Sequence, residues 1–146
     1  MRKHLLAVLA YVVATFATQA LSHFGVNAAH YAAVTYLRAQ PIFALGVLSM
    51  LIEGSSMSYL YAQLPQSGRS IGHAVLFAWL VGSILVSYEA LAEAAKYSVP
   101  SVASWIAVEV AAGFVQFTLY GVLLGWVHRA RVPQGGPLTR KSADPF

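Results

Sequence analysis

The chain has 146 residues, 58% hydrophobic and only 10% charged, whereas a soluble domain carries about 25% charged residues; this excludes an ordinary soluble domain and makes the lipid bilayer the expected partner. Nine Lys/Arg against five Asp/Glu give a net charge of +4. The cations sit at ends and loops, where anionic lipid headgroups account for them, so we expect no nucleic-acid partner.

After a basic start at Arg2 and Lys3, Leu5 to Val26 is a mostly apolar run, long enough at about 1.5 Å per residue to cross a hydrocarbon core of about 30 Å. Thr18-Gln19-Ala20 resembles a signal-peptide cleavage site, but the apolar run continues past it, and we expect this first helix, about 5–26, to be retained. Asn27 to Gln40 mixes His30, Tyr31, Tyr36 and Arg38 into a segment suited to the water interface, either a surface helix or an extension of the first. Pro41 is expected in the first turn of a second helix, 42–63, and Leu64 to Ser70 supplies turn residues. Ser70 is the expected N-cap of a third helix, 71–96. A fourth, 101–127, is bracketed by Trp105 and Trp126 at a spacing that suits two interfacial belts. Residues 132–146 lack apolar periodicity and read as a flexible cytoplasmic tail.

The expected fold is therefore all-α, an integral membrane four-helix bundle over residues 1–131. Seven cations, Arg2, Lys3, Arg69, Arg129, Arg131, Arg140 and Lys141, fall on one side and only Arg38 and Lys96 on the other, which predicts both termini in the cytoplasm.

The acids are placed unlike the bases. Glu53, Glu89, Glu93 and Glu109 lie in or at the edge of apolar segments, and an ionisable residue inside a membrane helix is by default a functional-site hypothesis. Positions three, four and seven apart share a helix face. The first helix so aligns Thr15, Gln19, Ser22 and His23, the second Gly46, Ser49, Glu53 and Ser56, the third Gly82, Glu89, Glu93 and Lys96, and the fourth Glu109, Gly113, Gln116 and Tyr120. Four polar stripes imply one polar interior. Counting rise along the helices puts Glu53 roughly 16 Å deep, near the midplane, and Gln116 at about 17 Å, with Gln19, His23, Glu89 and Glu109 nearer the outer surface. The candidate ligand-binding set is thus Gln19, His23, Glu53, Glu89, Glu109 and Gln116, an outward-opening vestibule with Glu53 at its floor.

Carboxylates held together out of water cannot all stay ionised unless a cation or a base pairs with them. His23 is the expected base, and the set suits proton relay or binding of a cation, either a metal or an organic amine. Structural readings stand beside these. Glu93 and Lys96 are spaced for a solvated ion pair, His23 can bond a neighbouring carbonyl, and Gln19 and Gln116 can serve as interhelical packing bonds. Gly121 and Gly125 form a small-xxx-small motif that suits contact within the bundle or between protomers. With no cysteine, disulfide and thiolate chemistry are excluded. Glu-x-x-His, His-Glu-x-x-His and phosphate-binding glycine loops are all missing from the sequence, and Gln66 to Ser70 reads as a short turn, so the sequence specifies neither cofactor nor metal and gives an enzyme no support.

FALGVLSMLIEG followed by YLY, then LAEAAKYSVPS, then Glu109 with Gln116-Phe117, resembles a group of small uncharacterised bacterial inner-membrane proteins of four spans. The resemblance covers roughly Leu5 to Trp126 and implies the four-helix architecture and a bacterial inner membrane, but transfers no site residue. The expected function is binding, with translocation if copies of the chain assemble into a homo-oligomer, of a cation or small polar molecule coupled to protonation of Glu53. The alternatives are an accessory subunit of a larger membrane complex and an integral membrane enzyme using Glu53 and Glu109 as acid and base.

Overall fold

The computed structural model describes residues 1–129 apart from Ala39, Gln66 and Arg69. The expected tail at 132–146 lies outside the described residues, as do Arg69, Arg131, Arg140 and Lys141 from the charge count. Among the described residues all regular structure is helical. Helix α1 (Arg2–Leu21) runs into a π-helical turn (Ser22–Val26), followed by the short α2 (Ala28–Ala32) and by α3 (Phe43–Gln63). Helix α4 (Ile71–Ser87) continues through a π-helical segment (Tyr88–Glu93) into α5 (Ala94–Lys96), and α6 (Val102–His128) closes the chain. Four rods, Arg2–Val26, Phe43–Gln63, Ile71–Lys96 and Val102–His128, are long and apolar enough to cross a membrane.

Local chemistry sets the ends. Ser70 Oγ accepts from His73 N at 3.2 Å and Ser101 Oγ from Ser104 N at 3.3 Å, so α4 and α6 start on serine N-caps. The chain before α4 turns through Gly68, whose φ of 78° is open to glycine. Helix α3 begins later than expected. Ile42 keeps non-helical angles as its N-cap, so Pro41 precedes the helix instead of filling its first turn. Helix α1 begins earlier, at Arg2, because Arg and Lys extend a helix almost as readily as apolar residues do.

Helix α6 packs between α1 and α4, while α3 packs on α1 and scarcely touches α4. The α4–α6 contact is close because it is made through glycine. A Cβ added at Gly121 would stand 2.6 Å from Val75 Cα, and one at Gly125 2.8 Å from Ile71 Cα. The small-xxx-small motif is thus used inside the chain, backbone against backbone. Small and aromatic residues fill the centre, among them Ala7, Tyr11, Tyr61, Ala74, Ala78 and Tyr120, while Leu9, Val13, Leu48, Ile52, Ile84 and Val115 point outward. This inside-out distribution is compatible with a helical bundle solvated by lipid. Lys3 Nζ donates to His128 O at 3.4 Å, so the start of α1 and the end of α6 share one end of the bundle.

Candidate binding cavity

At the opposite end a cavity of about 400 Å³ opens between α1, α3, α6 and the π-helical segment after α4. Gln19, His23, Glu53, Glu89, Glu109 and Gln116 all line it, joined by Glu93 and by the aromatic rings of Tyr11, Phe16, Tyr31, Trp105 and Phe117.

Both π-helical segments border this space, and π-helical turns shift the register of the side chains that follow and loosen the regular carbonyl ladder. The first carries His23 and the second carries Glu89 and Glu93. Trp105 Nε1 donates to the Glu89 carbonyl at 3.0 Å, so the widened turn is anchored to α6. That bond corrects the expectation for Trp105. Its ring is buried with Tyr31 and Val34 and is no interfacial belt residue, whereas Trp126 is exposed.

The two deep acids are each held by a tyrosine from another element. Glu53 accepts from Tyr11 Oη on α1 and, at 3.0 Å, from Ser49 Oγ one turn back on its own helix. Glu109 is buried and accepts from Tyr31 Oη at 2.8 Å. Burial, with the Glu109 carboxylate beside it, holds the Tyr31 hydroxyl well above the usual tyrosine range, so it stays a donor. The Tyr31 ring in turn stacks on His23, centroids 3.7 Å apart at 11°.

The polar residues of the wall divide by what they bond. His23 Nδ1 donates to the Gln19 carbonyl at 3.1 Å, so this ring nitrogen takes the backbone reading and not a carboxylate. Gln19 Nε2 donates to Gln116 Oε1 at 2.9 Å and Gln116 Nε2 to Thr15 Oγ1 at 3.1 Å, an amide ladder that ties α1 to α6. Lys96 does not form the expected pair with Glu93. Its ammonium donates to Tyr88 Oη at 3.0 Å and lies 4.6 Å from the centre of that ring, two turns back along the rod.

Tyr11 and Tyr31 are the cavity groups that the polar stripes missed. Tyr11 lies four residues before Thr15 and extends the α1 stripe by one turn, but tyrosine in a membrane helix reads equally as packing. Tyr31 reads as an interfacial aromatic until α2 folds it over Glu109. Among the described residues no three His, Cys, Asp or Glu side chains come together to hold a metal ion. Among the described residues lining the cavity none is Lys or Arg. No protein-family model, no curated protein and no solved structure matches the chain.

Proposed function

We propose that this is an integral protein of a bacterial inner membrane, termini in the cytoplasm, whose cavity binds a small organic cation in competition with protons at Glu53. The observation that carries the reading is the composition of the cavity wall among the described residues: four carboxylates, five aromatic rings, one histidine and neither Lys nor Arg. Carboxylates supply the countercharge, and ring faces attract a cation that has shed its water. An organic cation suits the site better than a metal ion, since the acids are spread around about 400 Å³ and two of them, Glu53 and Glu109, are bonded to tyrosine and serine hydroxyls. Glu109, buried and tied to Tyr31, serves the architecture; Glu53 and the exposed Glu89 face the ligand. A homo-oligomer would extend binding to transport.

Tetraphenylphosphonium binding to the purified protein tests this. Affinity should fall on acidification, and Glu53→Gln should weaken binding about tenfold or more, equivalent to ~1.4 kcal/mol. Equal affinity in wild type and variant, with no dependence on pH, would sink the proposal. Loss of co-purifying proteins in Glu53→Gln with no ligand effect would favour the accessory-subunit reading.

A further inference from the structure

Buried polar groups do not end at Glu53. Toward the end of the bundle shared by the start of α1 and the end of α6, Tyr11, Tyr120 and Tyr61 are fully buried in one cluster, and His128 lies beyond them, itself buried. Tyr11 Oη donates to Glu53. Tyr120 meets Tyr11 edge-on with centroids 5.0 Å apart, and Tyr61 meets His128 edge-on at 5.0 Å. At the far end His128 Nδ1 shares a hydrogen bond with Ser67 Oγ at 3.4 Å, and Gly68 N donates to Tyr61 Oη at 3.4 Å. Lys3 and His4 of α1 stand there too, the first bonded to the His128 carbonyl and the second to Ser58 Oγ at 3.0 Å.

Two features set this column apart from ordinary packing. Tyr120 Oη and His128 Nε2 are buried without a hydrogen-bond partner from the described residues. An unpaired buried hydroxyl destabilises the fold, and phenylalanine would fill the same space without it. Helical register also places the column by design of the sequence: Gln116, Tyr120 and His128 on α6, Glu53 and Tyr61 on α3, and His4 and Tyr11 on α1 recur at spacings that return to one face.

We propose that Glu53, Tyr11, Tyr120, Tyr61 and His128 form a proton relay joining the cavity to the end of the bundle where α1 starts and α6 ends. Each hop breaks one O–H or N–H bond and makes one on the neighbour. A tyrosine receives a proton as it releases its own, and His128 receives at one ring nitrogen and releases from the other. Hops longer than a hydrogen bond pass through an intervening water. The relay lets Glu53 exchange protons with one side of the membrane while the cavity faces the other, and it rests on Glu53 being the protonatable group of that cavity.

The test uses full-length protein in vesicles with pyranine trapped inside, with proton flux driven by a valinomycin-imposed potassium potential. Wild type should exceed protein-free vesicles, Tyr120→Phe and His128→Gln should fall to the protein-free rate, and Trp79→Phe, outside the column, should match wild type. Should Tyr120→Phe fail to elute as a folded protein, His128→Gln carries the comparison. Full flux in these column variants, or wild-type flux no faster than protein-free vesicles, overturns the relay. Tetraphenylphosphonium binding on the same vesicles separates the two proposals: binding with no column-dependent flux removes only the relay, and column-dependent flux with no binding removes only the cation site.

Discussion

At Glu109 one hydroxyl decides whether a buried carboxylate is satisfied. Tyr31 Oη is its side-chain donor, so Tyr31→Phe should destabilise the protein by about 1–3 kcal/mol, the penalty of a buried acceptor left unpaired, read as a lowered Tm in detergent. The pH dependence follows from the raised Tyr31 ionisation. A group whose folded value lies above its ordinary 10.0 contributes stability that is fully present below that pH and is lost as pH rises through the folded value. The gap between wild type and Tyr31→Phe should therefore hold through neutral pH and close only in strong alkali. A gap that closes near neutrality would assign the effect to another group. The acid was legible in the sequence because a carboxylate in an apolar run is anomalous. Its partner was not, because nothing in the residues around Tyr31 says that α2 folds back over α6.

Among the elements, the α4–α6 contact depends on the absence of side chains at Gly121 and Gly125. Gly121→Val would press on Val75 Cα, a backbone atom that cannot rotate away, so α4 must shift, at a cost of about 1–3 kcal/mol and with loss of cavity geometry. Gly46 on α3 is the control: a Cβ there meets nothing within 4 Å. Gly46→Ala should leave Tm unchanged or raise it by the helix propensity gained, about 1 kcal/mol or less. Equal Tm losses in both variants would show that the close contact at Gly121 is not the cause of its effect. The 3.6-residue period made the polar stripes legible. It could not show the π-helical segments, since no residue type in Ser22–Val26 or Tyr88–Glu93 marks a change of period.

For the whole molecule, the shared end of α1 and α6 agrees with an even number of crossings, and the cation count of the sequence is the basis for the proposal that it faces the cytoplasm. The chain has no cysteine, so single introduced thiols report topology directly. Ser98→Cys, in the loop before α6, should react with an impermeant maleimide in intact cells, and Leu64→Cys, after α3, only once the membrane is opened. The reverse pattern would invert the orientation and, with it, the direction of the proposed relay.

Sequence alone determined the four apolar rods and the face on which each carries its polar groups, because lipid penalises an outward polar side chain and helical pitch fixes which positions share a face. It also made Glu53 stand out. Only the tertiary structure decided that the polar groups of α1, α3, α6 and the segment after α4 line one cavity, that Tyr11 and Tyr31 hold two of its acids, and that Tyr120 Oη and His128 Nε2 are buried without a hydrogen-bond partner among the described residues. The physical reason is that a hydrogen bond between helices depends on their relative rotation and axial offset. Those are set by close contacts such as Gly121 on Val75, which the periodicity of a single helix does not contain.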